Sequence, residues 1–162
     1  MKLPFNPGKT GYAVAVFVLI FLVALATKCH SQGIVFGVGP TMLRGEASAL
    51  QVAWQWPAIQ SRDAHFETAI TVIGPSTFEG KDQGNQFAWS VVYIDGFKNF
   101  DIGLGPAFLR KTDAFNTASA NFNLLVGYHW KKWFVRWDHF SNMGTAQPNL
   151  GRDMILVGTT FR

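Results

Sequence analysis

Large apolar residues alternate with small or polar residues along most of the chain from about Gly33 onward. In residues 48–56 the even positions hold leucine, valine and tryptophan, whereas the odd positions hold alanine and glutamine. Residues 100–108 and 118–130 repeat the pattern. Because successive side chains of a strand point to opposite faces, this alternation predicts β-strands with one apolar face and one small or polar face.

About eight such segments follow one another. They lie at residues 34–43, 47–56, 66–74, 86–95, 99–109, 118–130, 133–142 and 153–161. Turn-forming sequences such as Asp95-Gly96 and Lys131-Lys132 separate most of them. An even number of alternating strands of about ten residues is typical of a small outer-membrane barrel. A soluble eight-stranded barrel and a secreted β-sandwich would alternate as well.

The composition of the two faces favours the membrane barrel. The less apolar face is mostly Gly, Ala, Ser, Asn and Gln, whereas the exterior of a soluble barrel is rich in Lys and Glu. The apolar face ends in aromatic residues, namely Trp54, Trp56, Trp89, Tyr93, Tyr128 and Trp130. Such a face fits a lipid-facing band with interfacial aromatic girdles. The sequence therefore predicts an all-β fold, an eight-stranded antiparallel transmembrane β-barrel, over residues 33–162.

The first 31 residues have the layout of a secretory signal peptide. Residues 12–26 are all apolar or aromatic, and Lys2 and Lys9 precede them. This run of about fifteen residues is shorter than the roughly twenty that a spanning helix needs. Cleavage near residue 26 and cleavage near residue 31 are both compatible with the sequence, and an uncleaved anchor is the alternative.

The seventh predicted strand places two candidate catalytic residues on the outside of the barrel. His139 and Ser141 share the odd positions with tryptophan and valine, so they belong to the apolar face. Arg136 and Asp138 take the even positions and turn inward, where charges can pair across the lumen. In the eighth strand, Asp153 shares the parity of the apolar residues and also points outward.

These three residues form a chemically coherent set. A serine hydroxyl needs an adjacent base, and that base needs a partner that fixes its tautomer and stabilises its positive charge. With both termini of an even-stranded barrel in the periplasm, the loop at residues 143–152 faces out of the cell. The set then lies level with the outer leaflet, which is lipopolysaccharide in a Gram-negative outer membrane, so its substrate is expected in the membrane.

A short motif near the C-terminus resembles a known family. The sequence His139-Phe140-Ser141-Asn142-Met143-Gly144, followed by Pro148-Asn149, Gly151 and Asp153, is similar to the C-terminal motif of the PagL-type lipid A 3-O-deacylases. This family consists of eight-stranded outer-membrane barrels that remove the ester-linked 3-hydroxyacyl chain at the 3-position of lipid A.

The resemblance implies a role for each matched residue. Ser141 would be the nucleophile, His139 its general base and Asp153 the group that orients His139, while Asn142 and Gly144 match positions associated with the oxyanion hole. The family usually has glutamate where this chain has Asp153, so the shorter carboxylate must approach His139 differently. No metal or other cofactor is expected.

The net charge of +4 does not indicate a nucleic-acid partner, because no contiguous basic face with interleaved aromatics exists in the sequence. Arg110, Lys111 and Arg152 fall near predicted extracellular strand ends, where they could meet lipid A phosphates, or serve as ordinary loop charges. The expected partners are therefore lipopolysaccharide and the outer membrane. The alternative function is a non-enzymatic barrel for adhesion or envelope integrity, which would share every feature except the motif.

Overall fold

The structure, a computed structural model, describes residues 33–42, 47–57, 64–110, 118–147 and 149–161. The predicted signal peptide and Lys111 lie outside these residues. The strands are β1 (Gly33–Met42), β2 (Ser48–Pro57), β3 (His65–Ile73), β4 (Ser76–Phe78), β5 (Lys81–Gln83), β6 (Gln86–Phe97), β7 (Phe100–Arg110), β8 (Ala120–Trp130), β9 (Trp133–Ser141) and β10 (Arg152–Phe161). No helix in this part of the chain is long and apolar enough to cross a membrane.

Eight of the strands close into an antiparallel barrel, which confirms the predicted fold. Sequential strands β1, β2, β3, β6, β7, β8, β9 and β10 are neighbours, and β10 pairs with β1 to complete the circle. Closure gives both edges of the eight-stranded sheet a partner, so no strand edge of the barrel is left open. We call the end with the loops after β1, β3, β7 and β9 the loop end, and the opposite end the turn end.

Two local features differ from the sequence-based prediction. β6 continues past Asp95-Gly96, which pair with β7, and the turn lies instead at Lys98-Asn99. The ladder continues because Gly96 has a pairing partner in Asp101, so the glycine does not end the strand. Strands β4 and β5 were not predicted, since three residues are too few to show alternation. They form a hairpin around Glu79 and Gly80, whose positive φ angles of 49° and 73° are those of a tight two-residue turn.

The predicted assignment of faces is confirmed along the strands. Small and polar residues of the odd face of β2, such as Gln51 and Ala53, are buried in the lumen. The outward side chains include a broad set of exposed large apolar residues: Phe36, Leu50, Trp89, Tyr93, Ile102, Leu104, Phe108, Phe122, Val126, Trp130, Val135 and Val157. The interior also contains a buried apolar cluster, which includes Phe140, Met154 and Leu156. An apolar exterior suits a barrel surrounded by lipid.

A buried ion-pair network crosses the lumen. Arg136 on β9 is 2.8 Å from the Glu67 carboxylate of β3 and 3.3 Å from the Asp138 carboxylate. Gln51 of β2 donates a hydrogen bond of 2.9 Å to the same Asp138 side chain. The predicted inward orientation of Arg136 and Asp138 and their charge pairing are therefore confirmed. The network links three strands, while a cavity of about 960 Å³ lies on its turn-end side.

Replacement of Arg136 by methionine is expected to destabilise the barrel strongly. Glu67 and Asp138 would remain buried without a countercharge, and breaking a buried ion pair by removing one partner typically costs about 3–5 kcal/mol. Heat-modifiable electrophoretic mobility across a urea titration measures the folded fraction. Arg110→Met, which removes an exposed arginine, serves as the control. Equal unfolding midpoints for the two variants would contradict a structural role of the network.

Candidate active site

The candidate site lies on the outward face at the loop end, where β9 pairs with β10. His139 and Asp153 are directly opposite each other in this ladder, and Trp137 is opposite Ile155. On the other side of β9, Ser141 is opposite Phe122. Opposite residues of an antiparallel pair have neighbouring side chains, so the register itself brings the histidine and the carboxylate together.

His139 is bound to the carboxylate of Asp153. The Nδ1 atom of His139 is 2.9 Å from Asp153 Oδ1, and the two side chains are 26% and 15% exposed. An ionised carboxylate has only acceptors, so this contact requires a proton on His139 Nδ1, and in the neutral imidazole Nε2 then keeps its lone pair. Aspartate is therefore long enough here to reach the histidine, despite being one methylene shorter than glutamate.

Ser141 is held by the loop that follows it. Asn149 donates from Nδ2 to Ser141 Oγ at 3.3 Å, and Ser141 Oγ in turn lies 3.4 Å from Asn149 Oδ1. The Met143 N–H also donates to Ser141 Oγ, at 3.2 Å. His139 and Ser141 share a face but are not hydrogen-bonded, because side chains two apart on a strand stand about 6.5–7 Å apart unless they lean together. Catalytic hydrogen bonds are often long in the absence of substrate.

Asn142 and Gly144 take part in hydrogen bonds within the loop that follows Ser141. Asn142 is buried, and its Oδ1 accepts a 2.9 Å hydrogen bond from the Gly144 N–H. Its Nδ2 donates to the Ala146 carbonyl at 3.1 Å. The two groups that the resemblance associated with an oxyanion hole are thus engaged with the loop itself. Asn149 was not singled out from the sequence, although this residue belongs to the motif.

Gly151 lies against the edge of the His139 ring that carries Cε1 and Nε2. Its φ of +69° is in the left-handed region, and a Cβ at this position would overlap His139 Cε1 and lie 3.1 Å from Nε2. Only glycine leaves this space open and adopts the backbone conformation without strain. The sequence motif contained Gly151, but only the three-dimensional arrangement shows what the residue does.

Replacement of Gly151 by alanine is expected to lower, by about tenfold to a hundredfold, the esterase activity that the sequence motif predicts, because a misplacement of about 1 Å can cost that much. The added methyl would push the His139 ring away from its place beside Ser141. Gly80→Ala is a matched control, since Gly80 has a similar φ of +73° but nothing within 4 Å of the position that the added methyl would take. Similar activity of the two variants, both folded, would show that the His139 contact has no effect on function.

The basic residues of the prediction fall in different places. Arg110 is exposed at the loop end of β7. Arg152 shares its parity with Met154 and Leu156, which point into the barrel, and it is only 3% exposed. Arg152 therefore does not reach the lipid-facing surface, and its parity in the sequence already indicated this. Across the described ranges, no group of three or more His, Cys, Asp or Glu side chains could hold a metal ion.

The fold has a counterpart among solved structures. The barrel is similar to the crystal structure of the outer membrane enzyme PagL. The similarity has a TM-score of 0.55 and an identity of 18%, and it covers 80% of this chain and 98% of that chain. No protein-family model matches the sequence, and no curated protein matches it. The closed eight-stranded barrel is thus a fold shared with an outer membrane enzyme.

Proposed function

We propose that this protein is a serine esterase of the outer membrane, which removes the ester-linked 3-hydroxyacyl chain at the 3-position of lipid A. The observation that carries the proposal is the His139–Asp153 contact of 2.9 Å on the outward face, with Ser141 two residues away on the same strand. In the proposed triad this contact would orient the base, and Ser141 would serve as the nucleophile on the same outward face.

The position of the site favours a lipid substrate. Ser141 and His139 stand on the outside of the barrel, next to apolar side chains such as Phe122, which is 40% exposed. In a bilayer this surface would contact lipid, so a water-soluble ester would not reach it. A lipid that diffuses laterally to the barrel would place its acyl chain beside β8 and β9 and its ester group at the depth of Ser141.

The expected reaction has two stages. His139 Nε2 takes the proton from Ser141 Oγ as the oxygen attacks the ester carbonyl carbon, and the resulting imidazolium is stabilised by Asp153. The tetrahedral intermediate collapses, the sugar oxygen leaves with the proton from His139, and the acyl group remains on Ser141. Water, activated by His139, then releases the 3-hydroxy fatty acid and restores the serine.

Two donors beside Ser141 suit the negative charge that develops on the carbonyl oxygen. The Met143 N–H and the Asn149 Nδ2 both point to Ser141 Oγ, at 3.2 and 3.3 Å. Once Ser141 Oγ has bonded to the carbonyl carbon, the oxyanion on that carbon lies close to Oγ. The two donors can then hydrogen-bond to the oxyanion. Asn142 and Gly144 would contribute indirectly, because their mutual hydrogen bond holds the loop that carries Met143.

Arg110 is an exposed basic residue at the loop end, where a lipid head group would lie. Pro106 on β7 is level with Phe122 and hence with Ser141, and Arg110 is four residues closer to the loop end. At about 3.4 Å per residue, Arg110 is about 14 Å farther along the strand direction toward the loop end than the position in register with the serine. A guanidinium near the loop end suits a phosphate at the membrane surface, and lipid A supplies phosphates there when the loop end faces out of the cell.

The proposal is tested with the purified barrel and lipid A in mixed micelles. Mass spectrometry of the products should show release of a 3-hydroxy fatty acid and lipid A that has lost the chain at its 3-position. Glycerophospholipid presented in the same micelles should stay intact. Release from another position, or from the phospholipid alone, would contradict the proposed substrate while leaving an esterase in place.

A further inference from the structure

Trp137 contacts both members of the His139–Asp153 pair and has no part in the triad itself. Its indole Nε1 donates to Asp153 Oδ1 at 2.8 Å, and its ring stacks on the imidazole with centroids 5.5 Å apart and an interplanar angle of 24°. We propose that Trp137 is a positioning residue, which fixes the carboxylate and the imidazole in their working geometry. This inference rests on the proposed esterase function of the site.

The hydrogen bond acts on the carboxylate. Asp153 Oδ1 accepts from both Trp137 Nε1 and His139 Nδ1, at 2.8 and 2.9 Å. Trp137 and Asp153 are diagonal neighbours across the β9–β10 ladder, a separation that only a long side chain can bridge. Two donors converging on one oxygen leave the carboxylate a single orientation, whereas His139 alone would let it rotate about its Cβ–Cγ bond.

The stacked ring acts on the imidazole. An aromatic face beside the imidazole restricts its rotation toward the surrounding lipid. The same face attracts a cation, so it stabilises the imidazolium that forms when Ser141 loses its proton. Trp137 therefore favours the charged state that the reaction passes through, without touching the ester.

The decisive variant is Trp137→Phe, which keeps an aromatic ring and removes the N–H donor. Loss of a hydrogen bond to a charged group lowers the rate by about tenfold to a hundredfold. We expect this loss in kcat, with KM close to that of the original protein, because Trp137 would act on the His139–Asp153 pair and not bind the lipid. Trp137→Leu, which also loses the stacked ring, should be slower still.

Trp133→Phe is the matched control. Trp133 lies on the same strand and the same outward face, four residues toward the turn end, and is exposed there. Trp133→Phe also removes one indole from the membrane-facing surface, but it leaves the His139–Asp153 pair unchanged. Equal heat-modifiable mobility of the two variants establishes that both barrels are folded.

A double-mutant cycle with Asp153→Ala shows whether the effect passes through the carboxylate. Trp137→Phe should cost nothing further in a protein that already lacks Asp153. Within this cycle, full kcat in Trp137→Phe would overturn the proposal, and so would the same fold-loss with and without Asp153.

The four proteins of the cycle are also compared by the rate at which a fluorophosphonate labels Ser141. This rate depends on the serine and its base, and it needs no lipid substrate. If labelling of Ser141 slows in Trp137→Phe while lipid A stays intact with every protein, the positioning role stands and the proposed substrate fails. If labelling is equal in Trp137→Phe and the original protein, the positioning role fails whatever the substrate is.

Discussion

Replacement of Ser141 by alanine is expected to abolish deacylation, with a loss of at least about a thousandfold in kcat. The variant has no oxygen at the position of Ser141 Oγ, and removal of a nucleophilic serine from a triad commonly costs more than this. The loop should keep its shape, because the Asn142–Gly144 hydrogen bond does not involve the serine. Initial rates on lipid A in mixed micelles measure the effect.

Ser119→Ala is the control for this prediction. Ser119 is an exposed serine at the loop end, next to the start of β8, and its backbone carbonyl accepts a hydrogen bond from the Leu109 N–H. Its removal should leave the rate unchanged. A Ser141→Ala protein that is folded and releases the fatty acid at the original rate would exclude an acyl-serine mechanism.

Replacement of Asp153 by alanine is expected to reduce kcat by about three to four orders of magnitude. Without the carboxylate, His139 Nδ1 loses its acceptor, the imidazole is free to take the wrong tautomer, and the imidazolium loses its counterion. Removal of the equivalent function from serine proteases has effects of about 10⁴-fold. The barrel should still fold, because Asp153 is on the outward face and takes no part in the lumen network.

Asp95→Ala provides the comparison for Asp153→Ala. Asp95 is an exposed acid toward the turn end of β6, far along the barrel from the site. Both variants remove one outward carboxylate, so any general effect of charge on the surface is common to them. A kcat for Asp153→Ala equal to that of Asp95→Ala would remove Asp153 from the mechanism.

Alternation alone predicted most of the barrel, because a lipid-facing exterior and a crowded lumen impose opposite demands on successive residues. The same parity placed His139, Ser141 and Asp153 outward and Arg136 inward, and all four are oriented in this way. The prediction for Arg152 did not use parity. Its nearness to a loop suggested a surface contact, whereas its even position turns it into the barrel.

The pairing register could not be predicted from the sequence, since it depends on how many residues the loop between β9 and β10 consumes. That register places His139 opposite Asp153 and places Trp137 diagonally beside the carboxylate. For the same reason, the contacts of Asn149 with Ser141 and of Gly151 with His139 appear only in the folded loop. In the sequence, Trp137 is one more aromatic residue of the apolar face, and nothing there indicates a partner for its N–H.

The most direct test of an outward-facing lipid A esterase is mass spectrometry of lipid A from Gram-negative cells that express the protein. Cells that carry Ser141→Ala at an equal level in the outer membrane provide the comparison. We predict loss of one 3-hydroxyacyl chain from the 3-position with the original protein and intact lipid A with the variant. Intact lipid A with both proteins, each folded in the outer membrane, would contradict the proposed activity.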